Sequence, residues 1–216
     1  MDKIKLGVLV GGTSIEREVS KKSCENLLAN LDENKYDITV YHLPADGNTE
    51  WAKNIISNPP QIVLSALHGG NGENGSIQGF LHCLNIPYIG SKVLSSAICM
   101  NKAMAKTVMK ANHIQVPDHV FVMRGVDFSQ YEESIKLMGF PLIVKPNRGG
   151  SSIGVIVARN MEDIHYGIKN IMETYDDDVL IEKFIDGKEI NCCVLQGENG
   201  PEAMAVLDVK KAGSVF

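Results

Sequence analysis

The chain has 216 residues, 44% of them apolar, so it is long enough to bury a substantial core and sets one to two domains as the starting expectation. Its net charge of -5 argues against a nucleic-acid-binding protein, which needs a basic face, but leaves room for small acidic ligands held by local lysines. No apolar run approaches the roughly 18 residues needed to span a bilayer, and the apolar part of "MDKIKLGVLVGG" is too short for a signal peptide, so a soluble, cytosolic protein is expected.

In chain order, "IKLGVLV" is a buried first strand ending at Gly11-Gly12. A helix follows with Cys24, Leu27, Leu28 and Leu31 at i, i+3, i+4, i+7. "YDITVYHL" and "QIVLSAL" give two further strands, and the second runs into the glycine-rich loop "HGGNGENGS". A helix then begins near Ser76 with Ile77, Phe80, Leu81 and Leu84 on one face. Alternating strands and helices predict a parallel sheet, with Glu16 and His68 on the carboxyl rim where open sheets take their ligands.

Beyond "NIPYIG" the character changes. "SSAICMNKAMAKTVMKAN" reads as one helical stretch, "HVFVM" as a strand, "SQYEESIKLM" as a helix, and "PLIVKP" and "SIGVIVA" as strands. A helix with Ile164, Ile168, Ile171 and Tyr175 on its inner face comes next, then strands "VLIEKFI", "EINCCVLQG" and "EAMAVLDVK". This describes a small α+β unit followed by the start of a second sheet, whose apolar strands near Val206 and Phe216 are expected to be incompletely covered. The five cysteines, Cys24, Cys83, Cys99, Cys192 and Cys193, are scattered and lack CxxC spacing. They suggest neither a disulfide framework nor a zinc site, and are expected as buried free thiols.

The most informative stretch is "VKPNRGGSSIGV", Val144 to Val155. A loop without bulky side chains between two adjacent strands exposes successive backbone N–H groups that can cradle phosphate oxygens, with Lys145 as a point charge at its root. The same composition also serves a plain mobile β-turn. It is no Walker A motif, since the lysine precedes the glycines and a strand follows them. The geometry points to a hinged hairpin lid over a polyphosphate that excludes water from a phosphoryl transfer. Glu16 either favours a helix N-terminus or grips a substrate ammonium. His68 is either a satisfied structural histidine or, with Glu73 and the glycines after it, part of a ligand rim. Lys102 and Lys106, at i, i+4, would ordinarily form a solvated helix face, and Glu182, Lys183 and Glu189 would ordinarily face water from their strands.

Taken together, "GGTSIEREVS", "HGGNGENGSIQG", "IPYIGSKVLSSAICMNKAMAK", "GFPLIVKPNRGGSSIGV" and "VLIEKFIDGKEI", in that order, resemble the D-alanine:D-alanine ligase family of ATP-grasp enzymes. Asn101 departs from the Asp usual there, and the chain stops at "KKAGSVF", where relatives continue through a lid loop into the rest of a carboxy-terminal domain. The resemblance implies an α/β and α+β ATP-grasp fold divided into residues 1–96 (amino-terminal substrate domain), 97–183 (central domain with the phosphate lid) and 184–216 (start of an incomplete carboxy-terminal domain).

It further implies ATP-dependent formation of D-alanyl-D-alanine for peptidoglycan synthesis through an acylphosphate, with the 216-residue chain inactive alone. The related products D-alanyl-D-serine and D-alanyl-D-lactate, and a non-catalytic nucleotide-binding module, remain as alternatives. By the same resemblance Glu16 and Ser151 are catalytic, and Glu16, His68 and Ser151 hold the first D-alanine. Lys102, Lys145, Gly149, Gly150, Ser151 and Ser152 bind the ATP phosphates. Glu182, Lys183 and Ile185 line the adenine slot, and Glu189 takes the ribose. Magnesium would be held by residues beyond 216, with no metal ligand inside this chain. A cytoplasmic homodimer with D-alanine and ATP as its partners, without nucleic acid or membrane, completes the expectation.

Overall fold

The computed structural model describes residues 2–209. Its first sheet has the order β2-β1-β3-β4, from β1 (Ile4–Gly11), β2 (Tyr36–Leu43), β3 (Ile62–Ser65) and β4 (Tyr88–Ile89), all parallel. The central strand β1 is buried on both faces. Leu6, Val8 and Val10 pack with Cys24 of α1 (Arg17–Asn30). Leu9, pointing the other way, joins Tyr41, Leu43 and Val63 against Ile55 of α2 (Glu50–Ser57) and Ile77 and Leu81 of α4 (Ser76–Cys83). A strand covered on both sides reads as a continuous apolar run, which is why "IKLGVLV" shows no alternation.

The second sheet is antiparallel, in the order β5-β8-β6-β7, from β5 (His119–Val122), β6 (Leu142–Pro146), β7 (Ile156–Ala158) and β8 (Val179–Lys183). Helix α8 (Met161–Thr174) lays Ile164, Ile168 and Ile171 on Leu142, Val144, Val179 and Ile181, all buried. Gly167 permits this approach, since a Cβ there would meet Val144 Cγ1 at 2.9 Å. On the same sheet Ile135 of α7 (Glu132–Met138) is fully buried. Each such side chain contributes about 1.5–3 kcal/mol relative to exposure. A third sheet is the hairpin of β9 (Ile190–Gly197) and β10 (Gly200–Asp208), which leaves Val206 60% exposed as its sequence suggested. Phe216, and Lys210 at the end of the expected last strand, lie outside the described residues.

Several local readings need correction. Helix α2 and strand β4 were not anticipated: one is only eight residues long and the other two. The loop "HGGNGENGS" contains a helical turn, α3 (Gly70–Glu73). The single helix expected after "NIPYIG" is two, α5 (Val93–Met100) and α6 (Lys102–Ala111), broken at Asn101. The strand expected from Ser152 begins only at Ile156, because Gly150 to Ile153 form a turn. Of the five cysteines only Cys24 is buried, since Cys83 and Cys99 lie on outward helix faces and Cys192 and Cys193 on the open hairpin. No described helix is long and apolar enough to cross a membrane.

Candidate functional site

Glu16 stands at the amino end of α1, but its side chain does not cap that helix. Its carboxylate instead accepts a hydrogen bond from Ser151 Oγ, 135 residues further on. The approach is close on the other side too. A Cβ on Gly69 would collide with the Glu16 carboxylate and lie 2.7 Å from Ser14 Oγ, while one on Gly150 would sit 3.6 Å from both Glu16 oxygens. Glycine is therefore required at position 69, where φ is also +62°. The carboxylate is bracketed between the rim of the first sheet and the loop between β6 and β7.

His68 belongs to the same rim but meets other partners. Its Nε2 is 2.8 Å from Ser23 Oγ and its Nδ1 is 3.6 Å from Glu73 Oε1, so the ring is oriented by a hydroxyl on α1 and a carboxylate on α3. The structure brings Ser151 to Glu16 and not to His68. Ser23 was not singled out from the sequence, as nothing near it distinguishes one serine on a helix from another.

The β6–β7 loop bears out the hairpin geometry. Ser151 and Ser152 have φ of +52° and +56°, and Ile153 N–H donates to Gly150 O at 3.1 Å, which makes Gly150 to Ile153 a turn with both central residues left-handed. Non-glycine residues rarely adopt this backbone, and strain of this kind concentrates at ligand clamps. No hydrogen bond among the described residues engages the backbone N–H groups of Gly150, Ser151 and Ser152, leaving a row of free donors. The root of the loop, by contrast, is bolted down. Asn147 is fully buried, its N–H donates to Asp178 O at 2.9 Å, and its Oδ1 and O accept from Ala103 N at 3.0 Å and Lys102 N at 3.1 Å.

Three lysines converge beneath this loop. Lys102 Nζ donates to Gly149 O at 2.6 Å and also lies 3.4 Å from Asn147 O. Burial pushes its ammonium below the usual lysine range, the neighbouring Lys145 adds to this, and Asp177 and Glu182 oppose it. Lys145 Nζ donates to Glu182 Oε1, and Lys106 Nζ stands 2.8 Å from Glu182 Oε2. The expectation of a solvated face is thus overturned: the Lys106 side chain is only 13% exposed and that of Glu182 10%. A helix at i, i+4 gives no hint of this, because the counter-charge comes from a distant strand. Burial raises the Glu182 carboxyl, but the ammoniums of Lys106 and Lys145 outweigh it and hold the group below the usual carboxylate range.

Asn101 has a clear local role. Its Oδ1 accepts from Met104 N at 3.0 Å, capping α6, while Lys102 is braced by the carbonyls of Gly149 and Asn147 and so does not depend on an aspartate there. Asn101→Ala is expected to cost ~1 kcal/mol of stability, read as a lower thermal midpoint. Lys183, Ile185 and Glu189 stand exposed along and beyond the end of β8, Ile185 beside an open cavity of about 710 Å³ that it shares with His113, Ile114 and Pro117.

These features can be set beside known proteins. Residues 108–216 match the family model described as D-ala D-ala ligase C-terminus, and residues 49–91 match D-ala D-ala ligase N-terminus. The chain belongs to the D-alanine–D-alanine ligase family. It is 38% identical over 214 residues to the D-alanine--D-alanine ligase of Bacillus anthracis, covering 99% of this chain and 66% of that protein. A crystal structure of the Bacillus anthracis ligase complexed with ATP superposes with a TM-score of 0.83 at 33% identity, covering 99% of this chain and 68% of that one. The D-Ala:D-Ser ligase VanG of Enterococcus faecalis also superposes, with a TM-score of 0.83 at 27% identity over 100% of this chain and 72% of its own. The fold is the ATP-grasp arrangement of this family. The chain spans about two thirds of the length of the curated relatives it matches.

Proposed function

We propose that this chain carries the phosphate lid and first-substrate rim of an ATP-dependent carboxylate–amine ligase that joins two D-alanines for peptidoglycan. The observation that carries this reading is the contact between Glu16 and Ser151, which sets the free N–H row of the lid over the sheet rim with three lysines at its root. In such a reaction a carboxylate oxygen of the first D-alanine attacks the γ-phosphorus of ATP and releases ADP. The amine of the second then attacks the acyl carbon, loses a proton, and expels phosphate. Both steps need positioning and charge neutralisation more than covalent help from the protein.

Within that scheme Glu16 holds the first ammonium, with Ser151 fixing its carboxylate and His68 ordering the rim. Lys102 and Lys145 neutralise the polyphosphate, and the backbone from Gly149 to Ser152 covers its end. Glu182, Lys183 and Ile185 border the adenine and Glu189 the ribose. The division into residues 1–96, 97–183 and 184–216 is supported by each segment holding one of the three sheets. The expected magnesium finds no ligand set among the described residues, where no group of three His, Cys, Asp or Glu side chains is placed to hold a metal. A cytoplasmic homodimer belongs to the same reading. The names of the curated relatives favour D-alanine over D-serine or D-lactate as second substrate.

The test is Lys145→Ala. It is expected to raise the ATP dissociation constant at least tenfold, ~1.4 kcal/mol, with the thermal midpoint little changed because Lys106 still neutralises Glu182. Nucleotide binding that stays as tight as before removes the assignment.

A further inference from the structure

Lys106 is the one member of the lysine cluster to which the scheme above gives no task. It lies one helical turn after Lys102 on α6, and its ammonium reaches Glu182 Oε2 at 2.8 Å, on the oxygen opposite the one that receives Lys145. The two cations therefore divide one carboxylate between them. The Lys106 contact is an ion pair without aligned hydrogen-bond geometry, whereas the Lys145 contact is a hydrogen bond. The other charged or titratable groups near this carboxylate are Lys102, from α6, and His119, which lies opposite Glu182 in the β5–β8 register and turns its Nδ1 to Pro117 O at 3.0 Å. Among the described residues no second carboxylate contacts either lysine.

We propose that Lys106 is a positioning residue that holds Glu182 in place and neutral in sum, so that Lys145 can leave Glu182 for the nucleotide phosphates. Charge has to balance in a site with little water, where the Lys106 and Glu182 side chains are both nearly buried. If Lys145 moves to a phosphate and Glu182 has no other cation, a buried carboxylate is left uncompensated, which is strongly unfavourable. With Lys106 on the second oxygen the carboxylate keeps a partner, and the transfer of Lys145 becomes an exchange of one anion for another. The low titration range of Glu182 agrees with this double hold. The device rests on the nucleotide reading of Lys145.

The experiment is a calorimetric ATP titration of the chain and of Lys106→Met, Lys106→Arg, Glu182→Gln, Lys106→Met with Glu182→Gln, and Lys145→Ala, each repeated in buffers of different ionisation enthalpy. Lys106→Met keeps the apolar stem and removes the charge. It is expected to weaken ATP at least tenfold, ~1.4 kcal/mol, and to make binding take up a proton, because Glu182 must protonate once Lys145 departs. Lys106→Arg should restore most of the affinity. Removing the carboxylate as well, in the double variant, should bring affinity back toward that of Glu182→Gln, which loss of packing alone could not do.

The proposal is overturned if Lys106→Met binds ATP as the unsubstituted chain does, or binds weakly without proton uptake and without rescue by Glu182→Gln. Failure of the nucleotide reading looks different. In that case Lys145→Ala leaves affinity unchanged, or the unsubstituted chain binds no ATP.

Discussion

Replacing Glu16 by Gln is expected to weaken D-alanine at the first subsite by about a hundredfold or more while leaving ATP affinity almost unmoved. The substitution keeps the shape of the side chain, and the amide oxygen can still accept from Ser151 Oγ, so the lid contact survives in form. The negative charge is lost. With Gly69 on one side and Gly150 on the other, the carboxylate lies in a narrow gap that a bound substrate and a closed lid would empty of water. Breaking one partner of such a desolvated ion pair costs roughly 3–5 kcal/mol. Equilibrium titration with D-alanine and with ATP separately reads both sides. ATP binding that drops while D-alanine binding holds would place Glu16 with the nucleotide and undo the subsite.

Much of this architecture was legible because its signals are local. The two-sided burial of β1 shows as an unbroken apolar run, and the inner face of α8 shows as Ile164, Ile168 and Ile171 at helical spacing. The hairpin between β6 and β7 was legible for the same reason, since glycines and serines between two apolar strands mark a tight connection. The break at Asn101 was not, because the residues on both sides favour helix and only the cap to Met104 N shows where the second helix starts. Nor was the burial of Lys106, Lys145 and Glu182. Their pairing joins α6, β6 and β8, and periodicity carries no information about which distant strand supplies a counter-charge. Asn147 and Asp177 escaped for a related reason: what they satisfy is backbone, which leaves no trace in side-chain patterning.

Asp177 is where that hidden layer should matter most. It is 6% exposed, and its carboxylate accepts from Arg148 N at 2.5 Å and from Asp178 N at 2.8 Å, so one side chain ties the root of the lid to the loop before β8. Asp177→Ala orphans both backbone donors, each at about 1–3 kcal/mol, and is expected to cost roughly 2–6 kcal/mol by denaturant unfolding. Asp177→Asn retains one acceptor oxygen and should cost less. Acidity separates the two buried carboxylates of this region. Burial raises the Asp177 carboxyl above its ordinary range despite the Arg148 and Asp178 N–H groups, so the folded state holds its proton longer than the unfolded chain does. Stability from this group is greatest below the unfolded Asp value and declines as pH rises through the folded one. Glu182, held low by two ammoniums, acts in the opposite sense, its contribution present above the unfolded Glu value and lost as pH falls through the folded one. The stability gap between the unsubstituted chain and Asp177→Asn should therefore be widest in acid and narrow toward neutrality, whereas the gap to Glu182→Gln should widen. Unfolding curves at a series of pH values check both slopes, and a gap to Asp177→Asn that grows with pH would show that Asp177 is stabilised as the anion and reverse this account of the lid root.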